Sequence, residues 1–159
     1  MSESFWDRFV TYYASTPSRR RGRRRDEVLT CAGVGLLSDS PEENDRLLDE
    51  ILSKRRTAII TLQADWPEGK AFPHAEEYHV LMDSQGQERC VIRTGGAYLT
   101  TFRDMREDFA LAEGRAESMN AWRNRTREAI KHWCAMHGQP FSVDMPMVVE
   151  TFTMVYWEE

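Results

Sequence analysis

The segment from Ser40 to Leu62 constrains the fold most, because it joins a helix with a clear start to a strand through a short turn. Ser40 can cap the helix, Pro41 suits its first position, and Glu43 completes a capping box three residues after the cap. A β-prone run over 57–62 follows the helix. The apolar positions at helical spacing are Leu47, Leu48, Ile51 and Leu52. The segment therefore predicts an amphipathic helix that leads directly into a strand.

The turn between this helix and this strand carries three cations and one hydroxyl in four positions: Lys54, Arg55, Arg56 and Thr57. Cations at the C-terminus of a helix complement the negative end of its dipole, which would explain them without a ligand. Their density also suits a compact anion-binding group. Both interpretations stay open from the sequence.

The rest of the chain alternates between helical and strand-like patterns, without an internal repeat. Apolar spacing predicts a first helix around Phe5 to Tyr13 and a longer helix that stops at Gly138. Helices before and between clustered strands indicate an α+β domain rather than alternating βαβ units. The predicted strands after the central helix are 57–62, 78–82, 89–93, a further candidate at 98–102, and 147–157, with a short helix over 103–112.

Length and composition indicate one globular domain over residues 1–159. Hydrophobic residues make up 41% and aromatic residues 11%, which excludes a disordered chain. No segment approaches the roughly 20 apolar residues that span a bilayer, and the N-terminus lacks a signal-peptide pattern. Three distant cysteines without a CxxC pair are expected to be buried thiols. We therefore expect a cytoplasmic protein with no membrane partner, no metal site and no cofactor.

Six arginines lie in one seven-residue run, which predicts a basic loop or arm over residues 18–26. The formal net charge of −5 hides this run, because without it 15 basic residues stand against 26 acidic ones. The run can neutralise phosphates of RNA or DNA, with binding that weakens as salt rises. It can equally fold back onto the acidic body of its own chain. The six residues are Arg19, Arg20, Arg21, Arg23, Arg24 and Arg25.

Several segments, in order, carry a resemblance to a known family. FWDRF and SDSPEENDRLLDEILSKRRTA are followed by TFRDMREDFALAEG, which contains a Phe-Ala-x-x-Glu-Gly-like element. AWRNRTREAIKHW and FSVDMPMVVETFTMVY then supply a closing helix and strand. Across nearly its whole length the chain resembles ASCH domain proteins, which belong to the PUA-like superfold.

The resemblance implies a small, partly open β-barrel flanked by helices, with a cleft lined by the turn and the Glu-Gly element. Members are associated with RNA as binding modules, as ribonucleases, or as amidohydrolases that deacetylate a modified cytidine. In the amidohydrolases Thr is the nucleophile, Lys takes its proton and Glu assists. Glu113 matches that Glu here, but Arg56 replaces the Lys and Ile59 replaces the Thr. Arg is a poor base and Ile cannot attack, which argues against this chemistry in its usual form.

The favoured function is therefore an RNA-binding or nucleotide-binding module with a cleft at the Lys54–Thr57 turn and Glu113. A guanidinium would hold a phosphate, the carboxylate would accept from a base edge, and an aromatic ring would stack on the base. The expected ligand contacts are Arg55, Arg56, Trp66 and Tyr98, together with the six arginines of the run.

Two alternatives from other classes stay open. A ribonuclease or nucleoside amidohydrolase would use a substituted catalytic group of Lys54, Thr57 and Glu113. A protein-interaction scaffold would instead offer the arginine arm to an acidic protein partner.

Overall fold

The structure is a computed structural model that describes residues 2–16 and 28–159. The predicted basic loop or arm at 18–26, with its six arginines, lies outside the described residues. The helices are α1 (Phe5–Ser15), α2 (Pro41–Leu52), α3 (Glu107–Ala112) and α4 (Met119–His137). The strands are β1 (Cys31–Gly35), β2 (Ala58–Leu62), β3 (Tyr78–Met82), β4 (Glu88–Thr101) and β5 (Pro146–Trp157).

The capped helix forms as the sequence predicts. Ser40 accepts a hydrogen bond from the backbone N–H of Glu43 at the start of α2, and Pro41 occupies the first helical position. Leu47, Leu48 and Ile51 are buried along one face of the helix. Local signals at this helix therefore agree with its tertiary packing.

The five strands form one sheet in the order β1-β3-β4-β5-β2. β1 pairs with β3 in parallel, and the other neighbouring pairs are antiparallel. The α+β class is confirmed, but the sheet is not closed into the expected barrel, because β1 and β2 lie at opposite edges. The sequence interpretation also missed β1, whose residues CAGVG carry no β-prone pattern.

One long strand replaces the two predicted at 89–93 and 98–102. Gly95 and Gly96 lie within β4 at a register shift against β5. A Cβ at Gly95 would lie only 2.6 Å from the Oγ1 of Thr151, and Gly96 has a φ of +123°. The glycine pair therefore permits a β-bulge within one strand, although the sequence had predicted a break between two strands here.

Helices pack on both faces of the sheet. One core cluster joins Ala58 and Leu62 of β2 to Trp122 of α4, and α1 packs on a second cluster with β3 and β4. Ile59, on the alternate face of β2, belongs to a third cluster beneath α2. Part of that face is not covered by α2 and forms the cleft described below.

No helix in the described part of the chain is long and apolar enough to cross a membrane. The three cysteines are free thiols; Cys90 and Cys134 are buried and Cys31 is partly exposed. Burial raises the pKa of the Cys90 thiol to about 12, so it stays protonated and unreactive at neutral pH.

Candidate functional site

The turn after α2 and the Glu-Gly element lie side by side. The backbone N–H of Thr57 donates to the carbonyl O of Ala112 at 2.8 Å. A Cβ at Gly114 would lie 2.2 Å from the carbonyl O of Arg55, and Gly114 has a φ of +76°, so glycine is required there. The two segments that the resemblance associates with a cleft are therefore neighbours.

Arg56, in the turn after α2, is only 2% exposed. Its Nε donates to Oε2 of Glu50 at 2.7 Å, and its Nη1 donates to the carbonyl O of Ala58 at 3.0 Å. Arg115 also donates to Glu50, at 3.1 Å. Burial alone would raise the pKa of Glu50, but the two guanidinium groups outweigh it and hold that pKa below 4.5. Arg56 is thus part of a buried ion-pair group that joins α2 to the turn.

Glu113 also has a protein partner. Its Oε1 accepts a hydrogen bond from the indole Nε1 of Trp122 at 2.6 Å. Burial raises the pKa of Glu113, although the Trp122 hydrogen bond and the charges of nearby arginines oppose the rise. The carboxylate therefore helps to anchor α4 through a core tryptophan.

Within residues 2–16 and 28–159, the other predicted site residues are exposed, apart from Trp66. The Lys54 ammonium lies 5.0 Å from the centre of the Trp157 ring, and Arg55 donates to the Oγ of Ser53 at 3.1 Å. Thr57 is exposed, and Tyr98 stacks on Phe109 with ring centres 5.2 Å apart. Apart from Trp66, the predicted site residues in the described part of the chain do not line the cleft described next.

A cleft of about 550 Å³ lies on the face of the sheet that α2 leaves uncovered. Its floor comes from β1, β2, β5 and the facing parts of β3 and β4, and residues 66–74 form one wall. This volume falls in the range of small-molecule sites. The polar and aromatic lining residues are Thr61, Trp66, Lys70, Phe72, His74, Glu77, His79, Thr94, Glu150, Thr151 and Phe152.

The wall of the cleft is held by hydrogen bonds and ring contacts. Trp66 and Phe72 have ring centres 5.0 Å apart, and Trp66 Nε1 donates to the carbonyl O of Lys70 at 3.0 Å. The hydroxyl of Thr94 donates to the carbonyl O of His74 and accepts from the backbone N–H of Glu77 at 3.1 Å. The aromatic wall is therefore fixed to the sheet at Thr94.

Two charged side chains at the cleft lack a charged protein partner among the described residues. The Lys70 ammonium lies 4.9 Å from the centre of the Trp66 ring and forms no ion pair there. Glu150 lies directly opposite Ile59 in the β2–β5 register, and its carboxylate accepts no hydrogen bond from any described residue. Burial raises the pKa of Glu150, while the charges of Lys70 and His79 oppose the rise. The cleft thus presents a cation and a carboxylate that are free to meet a ligand.

Sequence reasoning missed Lys70, Glu150 and His79. The signal for Glu150 was present, since it is the one acid within the strand PMVVETFTMVYW. His79 likewise lies within the apolar strand YHVLM, where its ring lies 3.2 Å from the Glu77 carboxylate. No group of three His, Cys, Asp or Glu residues in the described ranges is arranged to hold a metal ion.

Comparisons with known proteins agree with this architecture. The ASCH domain family model matches residues 34–156. A crystal structure of an ASCH domain from Lactobacillus crispatus JV V101 superposes with a TM-score of 0.68 at 21% identity, covering 96% of this chain and 92% of that one. A protein from Enterococcus faecalis V583 superposes with a TM-score of 0.65 at 25% identity, covering 97% and 92%. A search of the curated proteins found no match.

Proposed function

The chain belongs to the ASCH domain family, and we propose that it binds a nucleotide, free or within an RNA strand, in the cleft beside residues 66–74. The family is often linked to RNA binding. The proposal moves the ligand contacts from the turn at 54–57 to the open cleft, and it keeps Trp66 as the stacking residue.

One observation carries the proposal: the cleft combines an aromatic wall with a cation and a carboxylate that form no ion pair with any described residue. A nucleotide has a flat base that stacks on aromatic rings, polar edges that hydrogen-bond, and an anionic phosphate. Trp66 or Phe72 would stack on the base, and Lys70 would pair with the phosphate.

Binding is favoured over hydrolysis of the amidohydrolase type. Ile59, which stands where the family nucleophile is expected, lies at the cleft and carries no hydroxyl. Arg56, which stands for the family base, is buried against Glu50 and does not line the cleft. The two family positions therefore supply neither the nucleophile nor the base of that covalent step.

Titration calorimetry with mononucleotides and with short single-stranded RNA tests the proposal. Trp66→Ala is expected to weaken binding by roughly 5-fold to 150-fold, which corresponds to the loss of one stacked base. Lys70→Met should weaken binding of a nucleotide more than binding of the corresponding nucleoside, because only the nucleotide carries the phosphate.

The chain supplies a matched control pair. Lys54 lies 5.0 Å from the ring of Trp157, almost as Lys70 lies from Trp66, but neither Lys54 nor Trp157 lines the cleft. Lys54→Met and Trp157→Ala should leave the affinity unchanged. If Lys54→Met and Trp157→Ala lose binding while Lys70→Met and Trp66→Ala keep it, the ligand binds near the turn after α2 and the proposal is wrong.

A further inference from the structure

Glu150 differs from the other carboxylate in the cleft. Glu77 contacts His79 at 3.2 Å and accepts from the backbone N–H of His74 at 3.0 Å. Glu150 is half-buried on the floor and has no donor within hydrogen-bonding distance among residues 2–16 and 28–159. A half-buried carboxylate without a protein donor is satisfied by water, so a ligand that displaces the water has to supply donors in its place.

The position of Glu150 directs its carboxylate towards the cleft. Glu150 and Ile59 are register partners on β5 and β2, so their Cβ atoms are about 5 Å apart on the same face. Both residues line the cleft, as do Lys70 and Trp66 of the facing wall. A base stacked on the aromatic wall would therefore present an edge to Glu150.

The chemistry of a carboxylate restricts which edge it can pair with. An ionised carboxylate only accepts hydrogen bonds, and it can accept two in parallel. Guanine presents two adjacent donors, N1–H and the 2-amino group, on its Watson–Crick edge. Adenine and cytosine present one donor beside an acceptor, and uracil presents one donor between two acceptors, so these edges place an acceptor against the carboxylate.

We propose that Glu150 makes the cleft selective for guanine nucleotides by accepting hydrogen bonds from N1–H and the 2-amino group. The inference rests on the proposed nucleotide binding and adds its base preference. The positive charge of Lys70 favours the ionised form that this pairing requires, against the burial that raises the pKa of Glu150.

Calorimetry with GMP, IMP, AMP, CMP and UMP at one pH and one salt concentration tests the inference. GMP should bind about 5-fold to 150-fold more tightly than AMP, CMP or UMP, the range expected for one bidentate base contact. IMP lacks the 2-amino group but keeps N1–H, so its affinity should fall between those of GMP and AMP. Near-equal affinities for GMP and IMP would contradict the pairing.

Glu150→Gln provides the test on the protein. The amide replaces one acceptor oxygen with a donor, so GMP should lose its advantage, and AMP should gain because an amide pairs with an adenine edge. Glu88→Gln is the matched control, since Glu88 is also a partly buried acid on a strand but does not line the cleft, so its replacement should keep the order of affinities. A urea unfolding curve for each variant checks that the fold is retained.

The possible outcomes separate this inference from the function on which it rests. If no mononucleotide binds the parent protein, the proposed function fails. If all bind with equal affinity, or if the preference for GMP survives in Glu150→Gln, the inference fails while nucleotide binding stands. A preference for GMP that disappears only in Glu150→Gln supports both.

Discussion

The turn after α2 and the cleft beside residues 66–74 both contain charged and aromatic side chains, but they differ in how those groups are paired. At the turn, Arg56 is bonded to Glu50, and Glu113 is bonded to Trp122. In the cleft, Lys70 and Glu150 have no charged partner within hydrogen-bonding distance among the described residues. The charged groups at the turn stabilise the fold, and those in the cleft can still pair with a ligand.

The difference shows why a dense group of charges in a sequence is a weak indicator of a binding site. Guanidinium and carboxylate groups that satisfy one another inside the protein have little left to offer a ligand. Groups at an open concave surface that stay unpaired can instead be satisfied by the ligand itself. Three pairs of variants test this difference between the turn and the cleft.

The largest expected effect comes from Arg56→Met. Loss of the guanidinium leaves the buried Glu50 with Arg115 as its remaining cationic partner, so the free energy of unfolding should fall by about 3 kcal/mol. Arg55→Met, the same substitution at the exposed neighbour, should change it by less than about 0.5 kcal/mol. Urea unfolding followed by tryptophan fluorescence measures both. An Arg56→Met protein that is fully stable but has lost nucleotide affinity would place Arg56 in the ligand site instead.

Gly114→Ala should have the next largest effect. Its new Cβ would meet the carbonyl O of Arg55, and its φ of +76° disfavours any L side chain. Strain and overpacking together should lower the free energy of unfolding by about 2–4 kcal/mol. Gly86→Ala is the control, since φ is +79° there but no atom lies within 4 Å of the new Cβ. Gly86→Ala should cost only about 1 kcal/mol, and equal losses in the two variants would show that the turn and the Glu-Gly element are not tightly packed.

The smallest effects concern the dependence of stability on pH. Burial raises the pKa of Glu150 above 4.5 in the folded state, so its favourable contribution is fully present below about pH 4.5 and is lost as pH rises through the raised pKa. The pKa of Glu50 is lowered, so its contribution is present above about pH 4.5 and is lost as pH falls through the lowered value.

Unfolding curves between pH 3 and pH 8 for Glu150→Gln and Glu50→Gln measure these two contributions. Relative to the parent protein, Glu150→Gln should gain stability as pH rises, because it removes a carboxylate that is costly to ionise. Glu50→Gln should lose most at neutral pH and less in acid. If the stability of both variants relative to the parent protein changed in the same direction as pH rises, the contrast between an unpaired and a paired carboxylate would be wrong.

Local sequence signals predicted the parts of the fold that depend on neighbouring residues. Ser40 caps α2 because its hydroxyl reaches the N–H of Glu43 within the same turn of helix. The ASCH resemblance also anticipated that Glu113 and Gly114 adjoin the turn at 54–57. The short β1 and the continuous β4 were not predicted, because strand pairing and a bulge at Gly95 depend on partners far along the chain.

The α+β class, the capped helix with its turn, and the family could be inferred from the sequence, because periodicity, capping and motif order depend on residues close together in the chain. Which charges are paired could be seen only in the folded protein. Glu50 and Arg115 are 65 positions apart yet hydrogen-bonded, whereas Lys70 on the wall and Glu150 on the floor of one cleft form no ion pair. Pairing depends on long-range packing, so the location of the unpaired groups, and with it the candidate site, appears only in the folded chain.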